Sequence, residues 1–166
     1  MGFTAAGISP TTVSTDPLAP LGFELTAPNG DLGFQVWVYI KATSLLAVGQ
    51  CACHADGATP YNGSLVSAEG VQPAKVYGIA QHAIALNSYG FVLKRGSGYF
   101  RSDAGAVAVN AMFQTSATAA NGCVAEPNLG DGASLGFVTT VSATNATIDP
   151  LDAAAVVGVA LISVGL

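Results

Sequence analysis

The stretch Phe34-Gln-Val-Trp-Val-Tyr-Ile-Lys41 decides how the rest of the chain is read. It is rich in β-branched and aromatic residues, which fit a pleated strand better than a helix. Successive side chains of a strand point to opposite faces. One face therefore carries Phe34, Val36, Val38 and Ile40, and the other carries Gln35, Trp37, Tyr39 and Lys41. The first set is expected to face a core. The second is amphipathic and is expected to face outward, leaving Trp37 and Tyr39 for contact with a partner subunit or a larger surface.

Toward the C-terminus the same composition returns in short runs. Strands are expected over residues 47–54, 76–86, 89–95, 106–115, 122–126, 135–142 and 156–164. Between them stand Asp56-Gly57, Asn62-Gly63, Asn87-Ser88, Asn121-Gly122, Asp131-Gly132 and Asp149-Pro150, residue types that tolerate or preset turn dihedrals. Many short strands separated by such turns read as an all-β, antiparallel barrel or sandwich. Val76-Tyr-Gly-Ile, Ser134-Leu-Gly-Phe and Val156-Val-Gly-Val each set a Gly inside a strand, where it marks a bulge or a tight bend. Three such strands favour a small, strongly curved barrel. No long run shows the 3.6-residue apolar period of a helix. Only the Ala-rich pieces at 104–112 and 152–157 have room for a short one.

Upstream of the quoted strand the chain changes character. Residues 1–33 hold Pro10, Pro17, Pro20 and Pro28, and each Pro removes a backbone donor and fixes φ. A regular helix or a central strand is therefore not expected there. The segment nevertheless carries Phe3, Ile8, Leu18, Leu21, Phe23 and Leu25, more large apolar groups than a disordered tail needs. It reads as an extended arm that docks on a neighbour or on its own barrel, with Phe3, Ile8, Leu18, Leu21 and Phe23 as its contact residues. The expected organisation is an arm over 1–33 and a β domain over 34–166.

Composition narrows the function. Charged residues make up 9% of the chain and hydrophobic ones 51%, the latter mostly Ala and Val. Ordinary soluble proteins carry roughly 25% charged residues. A surface so poor in charge favours association, which points to a component of an assembly. With five Lys or Arg against ten Asp or Glu, and no basic cluster beyond Lys94-Arg95 with Arg101, phosphate neutralisation on nucleic acid is not expected. Cys51, Cys53 and Cys123 form an odd set without a disulfide framework, which suits synthesis in a reducing compartment. The first residues lack the basic and apolar regions of a secretory signal. The longest apolar run, residues 153–166, is too short for a membrane helix and reads as a buried strand.

The residues offer little chemistry. There is no nucleophile elbow, phosphate-binding loop or dinucleotide fingerprint. His54 and His82 have no evident acid partner in sequence. Cys51-Ala-Cys53-His54 has good zinc-ligand types, but the two thiols share one strand face while His54 points to the other, and no second Cys pair follows. The acids Asp31, Asp56, Asp131 and Asp149 sit in turns rather than as a facing pair. No cofactor or metal is expected, and no enzymatic activity.

Three stretches carry a resemblance: Trp37-Val-Tyr-Ile-Lys-Ala with Leu46-Ala-Val-Gly-Gln-Cys-Ala, then 76–96 from Val-Tyr-Gly-Ile-Ala-Gln to Leu-Lys-Arg-Gly, then Val156-Val-Gly-Val-Ala-Leu-Ile-Ser-Val. Together they resemble the capsid cement, or head decoration, proteins of tailed bacteriophages. The resemblance implies a β-barrel on the outer capsid surface, a homotrimer, and the major capsid protein as partner, with the virion as its location and no part for nucleic acid or membrane. The alternative is a carbohydrate- or receptor-binding β module of a phage tail or spike, with Trp37 and Tyr39 as a stacking platform.

Overall fold

In the computed structural model the described residues are 7–30, 33–54, 59–65, 73–101, 110–115, 123–125, 136–138 and 158–163. They form ten strands: β1 (Glu24–Pro28), β2 (Phe34–Ala42), β3 (Cys51–His54), β4 (Asn62–Leu65), β5 (Val76–Ile79), β6 (Tyr89–Phe100), β7 (Met112–Thr115), β8 (Cys123–Ala125), β9 (Gly136–Val138) and β10 (Gly158–Ser163). The one multi-residue helical element among the described residues is a 3₁₀ turn at Pro73–Lys75.

Five of the strands close on themselves. The hydrogen-bonded order runs β2, β4, β3, β5, β6 and returns to β2 through the β2–β6 ladder. All these pairings are antiparallel except β2 with β4, where Lys41 stands beside Asn62 and Ala42 beside Gly63. Closure removes free edges from the ring. It also fixes two faces for every strand, one toward the lumen and one toward the outside.

Side chains that meet from non-neighbouring strands define the lumen. A Cβ placed on Gly63 of β4 would lie 2.6 Å from Ile40 of β2, 3.5 Å from Ala52 of β3 and 3.7 Å from the Tyr77 ring of β5. The lumen cluster is thus Val38, Ile40, Ala42, Leu46, Ala52, Ala80, Ile84 and Val92, with Tyr61, Leu65 and Tyr77 packed against it. A five-stranded ring is narrow, and small side chains are what fit. Ala42, Ala52 and Ala80 serve that fit in the lumen.

The outer face is equally apolar. Trp37, Tyr39, Cys51, Cys53, Val76, Ile79, Phe91 and Leu93 form a second cluster with Ile8, Leu25 and Ala27 from the N-terminal segment and Phe100, Phe113 and Ile162 from the far part of the sheet. β1 covers part of it, pairing antiparallel with β2 so that Leu25 stands beside Trp37. Within residues 1–33 the regular element is therefore an edge strand, the one strand position that Pro28 permits.

β6 joins the ring to the rest of the sheet. Tyr89 to Arg95 pair with β2, and Arg95 to Phe100 pair with β10, which continues to β9, β7 and β8. Gly96 sits at the changeover with φ of +111°, and a Cβ there would lie 2.7 Å from the Phe34 carbonyl oxygen. Only glycine serves at such a point. Within the far part Phe100 and Phe113 stack at 5.1 Å between centroids.

The strands expected at 34–41, 89–95, 122–126 and 156–164 coincide with β2, β6, β8 and β10. Those at 47–54, 76–86, 106–115 and 135–142 contain the shorter β3, β5, β7 and β9. Two assignments differ. Asn62-Gly63 opens β4 instead of forming a turn, because Gly63 is the residue that lets the lumen close. Phe34, expected in the core, is 70% exposed at the start of β2. The possible helices fall largely outside the described residues.

Candidate functional site

The two ends of the ring differ in chemistry. At one end the loop 43–50 meets the loop 80–88. Leu46 and Ile84 each donate a backbone N–H to the other's carbonyl at 2.9 Å, and both side chains are fully buried. This pole is closed. Apart from His82 neither loop contains an acidic or basic residue, and Leu45 and Leu86, which flank the bridge, are 61% and 57% exposed.

The other end opens into a cavity of about 600 Å³ lined by Glu24, Val38, His54, Pro60, Tyr61, Ala74, Lys75, Val76, Tyr77 and Lys94. Two irregularities in the ring aim side chains there. The β3–β5 register passes from Ala52–Gly78 to Cys53–Val76, leaving Tyr77 as an extra residue. The β2–β6 register passes from Val36–Arg95 to Trp37–Leu93, leaving Lys94 as another. A bulge bends its strand and redirects the residue it inserts, and both inserted residues line the cavity.

A short polar chain runs along one wall. The Tyr61 backbone N–H donates to the Tyr77 hydroxyl at 2.8 Å, and that hydroxyl lies 2.8 Å from His54 Nδ1. When the hydroxyl spends its proton on Nδ1, a neutral His54 carries its own proton on Nε2. Burial raises the Tyr77 phenol above its usual range, partly offset by the Tyr61 N–H. The Tyr61 and Tyr77 rings stack at 5.3 Å. Across the mouth Lys94 Nζ pairs with Glu24 Oε1 at 2.6 Å.

The residues expected to make contacts are distributed differently from the expectation. Trp37 and Tyr39 are 5% and 1% exposed, so the outward-facing reading of that strand face is overturned. The physical reason is that β2 buries both faces: the lumen takes Val38 and Ile40, and the N-terminal segment roofs the other side. The Leu18 N–H donates to the Tyr39 hydroxyl at 3.0 Å, and Tyr39 packs on Phe91 at 4.9 Å between centroids. A sugar platform on Trp37 and Tyr39 is excluded by the same burial. Ile8 is buried, and Leu21 and Phe23 pack against the outer cluster, so these arm residues contact their own barrel. Leu18 is 47% exposed. Phe3 lies outside the described residues.

Cys51 and Cys53 point into the outer cluster while His54 faces the mouth, so the strand divides this trio between two faces. Burial, and next the neighbouring Cys51, push the Cys53 thiol far up. His82, in the closed-pole loop, has both ring nitrogens buried without a hydrogen-bond partner. Burial lowers its pKa from the ordinary 6.5. The Cys123 side chain and the turn acids Asp31, Asp56, Asp131 and Asp149 lie outside the described residues.

Sequence reasoning did not find the mouth. Glu24, Tyr61, Tyr77 and Lys94 are scattered along the chain, and the two register shifts are what turn Tyr77 and Lys94 toward the other two.

Comparison with known proteins places the fold. No protein family and no curated protein sequence matches the chain. Among solved structures its fold is similar to the crystal structure of the N base of head fiber gp8.5 in bacteriophage phi29. That likeness has a TM-score of 0.52 at 12% identity, over 80% of this chain and 98% of that one. At such identity it is a likeness of fold.

Proposed function

We propose that this chain is a non-enzymatic structural protein of a bacteriophage virion. In this reading it is a decoration protein seated on the outer capsid surface as a homotrimer, with the major capsid protein as its partner. The observation that carries this reading is the fold likeness to a phage head-fiber base across nearly the whole of that structure. The low-charge composition supports it, since 9% charged residues leave a surface suited to protein neighbours.

The closed pole is the surface offered to the shell. Its loops carry no Asp, Glu, Lys or Arg, and Leu45 and Leu86 stand exposed beside a hydrogen-bonded bridge. A trimer would repeat each weak contact three times, so that avidity multiplies modest individual affinities.

The test is co-sedimentation of the purified chain with expanded heads of its phage that lack it, beside light scattering of the free protein. Saturable binding by a trimer is expected, together with heads that tolerate heat or osmotic shock only when decorated. The variant Leu45→Ser/Leu86→Ser should fold normally and lose head binding. A monomer that leaves heads unbound and unprotected overturns the proposal.

A further inference from the structure

We propose that the open mouth of the barrel is a saccharide-binding site, taking a neutral pyranose through a pair of adjacent hydroxyls. The inference goes beyond the head-surface reading and does not rest on it.

The mouth is built, and the fold does not require what it contains. Two separate strands break register, and each inserted residue, Tyr77 and Lys94, faces the same cavity. The Glu24–Lys94 pair has its side chains 49% and 25% exposed. Exposed pairs contribute little to stability, so folding does not account for its position. What the pair offers is an acceptor beside a donor. Two neighbouring hydroxyls on a ring match that arrangement, one donating to Glu24 Oε1 and the other accepting from Lys94 Nζ.

The remaining groups suit the same ligand. With Nδ1 engaged by the Tyr77 hydroxyl, His54 has Nε2–H left as a donor for a further oxygen. Pro60, Val38, Val76 and the stacked Tyr61 supply an apolar wall for the C–H face of a sugar ring. The cavity, about 600 Å³, falls in the range of small-molecule sites, roughly 300–1,000 Å³. A peptide adding to a sheet would need a row of unpaired backbone N–H and C=O groups. The mouth presents side-chain heads across a closed ring instead.

Calorimetry on the full chain with methyl glucoside, methyl galactoside and methyl mannoside tests the site, with cyclohexanol as a ring of similar size carrying one hydroxyl. At least one glycoside should bind saturably and cyclohexanol should not. Glu24→Gln and Lys94→Met should each weaken that binding about tenfold, the effect of losing one hydrogen bond to a charged group. Amide shifts on titration should cluster at His54, Tyr61 and Tyr77, which keeps the test valid if a variant folds poorly. The proposal is overturned if no glycoside saturates, if both substitutions leave binding unchanged, if the shifts fall at Leu45 and Leu86, or if an acidic peptide binds more tightly than every glycoside. Failure here leaves head binding through the closed pole untouched, and failure of head binding leaves the sugar titration readable.

Discussion

At one end of the barrel Leu46 and Ile84 exchange two backbone hydrogen bonds of 2.9 Å and fill the lumen with carbon; at the other, Glu24, His54, Tyr77 and Lys94 line an open cavity. The same five strands build both ends. The closed pole concentrates burial, so its residues are expected to govern stability. The mouth concentrates exposed polar groups, which contribute little to folding and are left for recognition. Substitutions at the two ends should therefore separate stability from binding.

The largest effect is expected from Leu46→Ala or Ile84→Ala. Both residues are fully buried and packed in the lumen cluster. Each substitution should cost about 2–5 kcal/mol, from lost transfer energy and the cavity left in a ring too stiff to collapse. Urea midpoints measure this. A cost below about 1 kcal/mol would mean that the pole is not the stabilising end.

Gly78→Ala should come next. A Cβ at this position would lie 2.5 Å from the Leu93 carbonyl oxygen and 3.0 Å from Val92. The obstacle is backbone, so the two strands must part, at about 1–3 kcal/mol. Gly78 borders the bulge that inserts Tyr77, so the change should also shift the Tyr61 and His54 amides. That readout ties the second-largest stability loss to the mouth's geometry.

Acid should attack the closed pole. His82 is the one group in its two loops with an ionisable side chain that titrates near neutrality, and its ring nitrogens are buried without partners. Its folded pKa lies below the ordinary 6.5, so the unfolded chain binds the proton more readily. The associated stability is fully present above 6.5 and is lost as pH falls through the depressed folded value. A melting-temperature series should show this decline, and His82→Phe should remove it. A profile unchanged by that substitution would break the assignment.

The β character and most of the strand positions were legible because composition and turn residues act locally, whereas β1 and β4 were not, β4 opening at Asn62-Gly63 where the pair reads as a turn. Val76–Ile79 and Tyr89–Phe100 announce themselves within a dozen residues. Which face of a strand is buried is not a local property when a ring buries both. Trp37 and Tyr39 read as outward because alternation offers one core face, whereas β2 has the lumen on one side and the arm on the other. Ile8, Leu21 and Phe23 read as contacts to a neighbour or to their own barrel, and they pack against their own chain. The mouth was not legible, since a bulge depends on the register of two strands. Lys94 and Tyr77 acquire their direction from partners 40 or more positions away in one case and about two dozen in the other, distances over which sequence pattern carries no register.

The smallest stability effect is expected at the Glu24–Lys94 pair, where it matters most for the comparison. A double-mutant cycle with Glu24→Gln and Lys94→Met should give a coupling below about 1 kcal/mol, because both side chains are partly solvated and water screens the pair. Raising the salt concentration should shrink even that. A larger, salt-insensitive coupling would make the pair a brace holding β1 to β6, and the mouth would then be a second structural end. A small coupling, with glycoside binding lost in the same two variants, would show that the ring spends its carbon at one pole on stability and its few charges at the other on recognition.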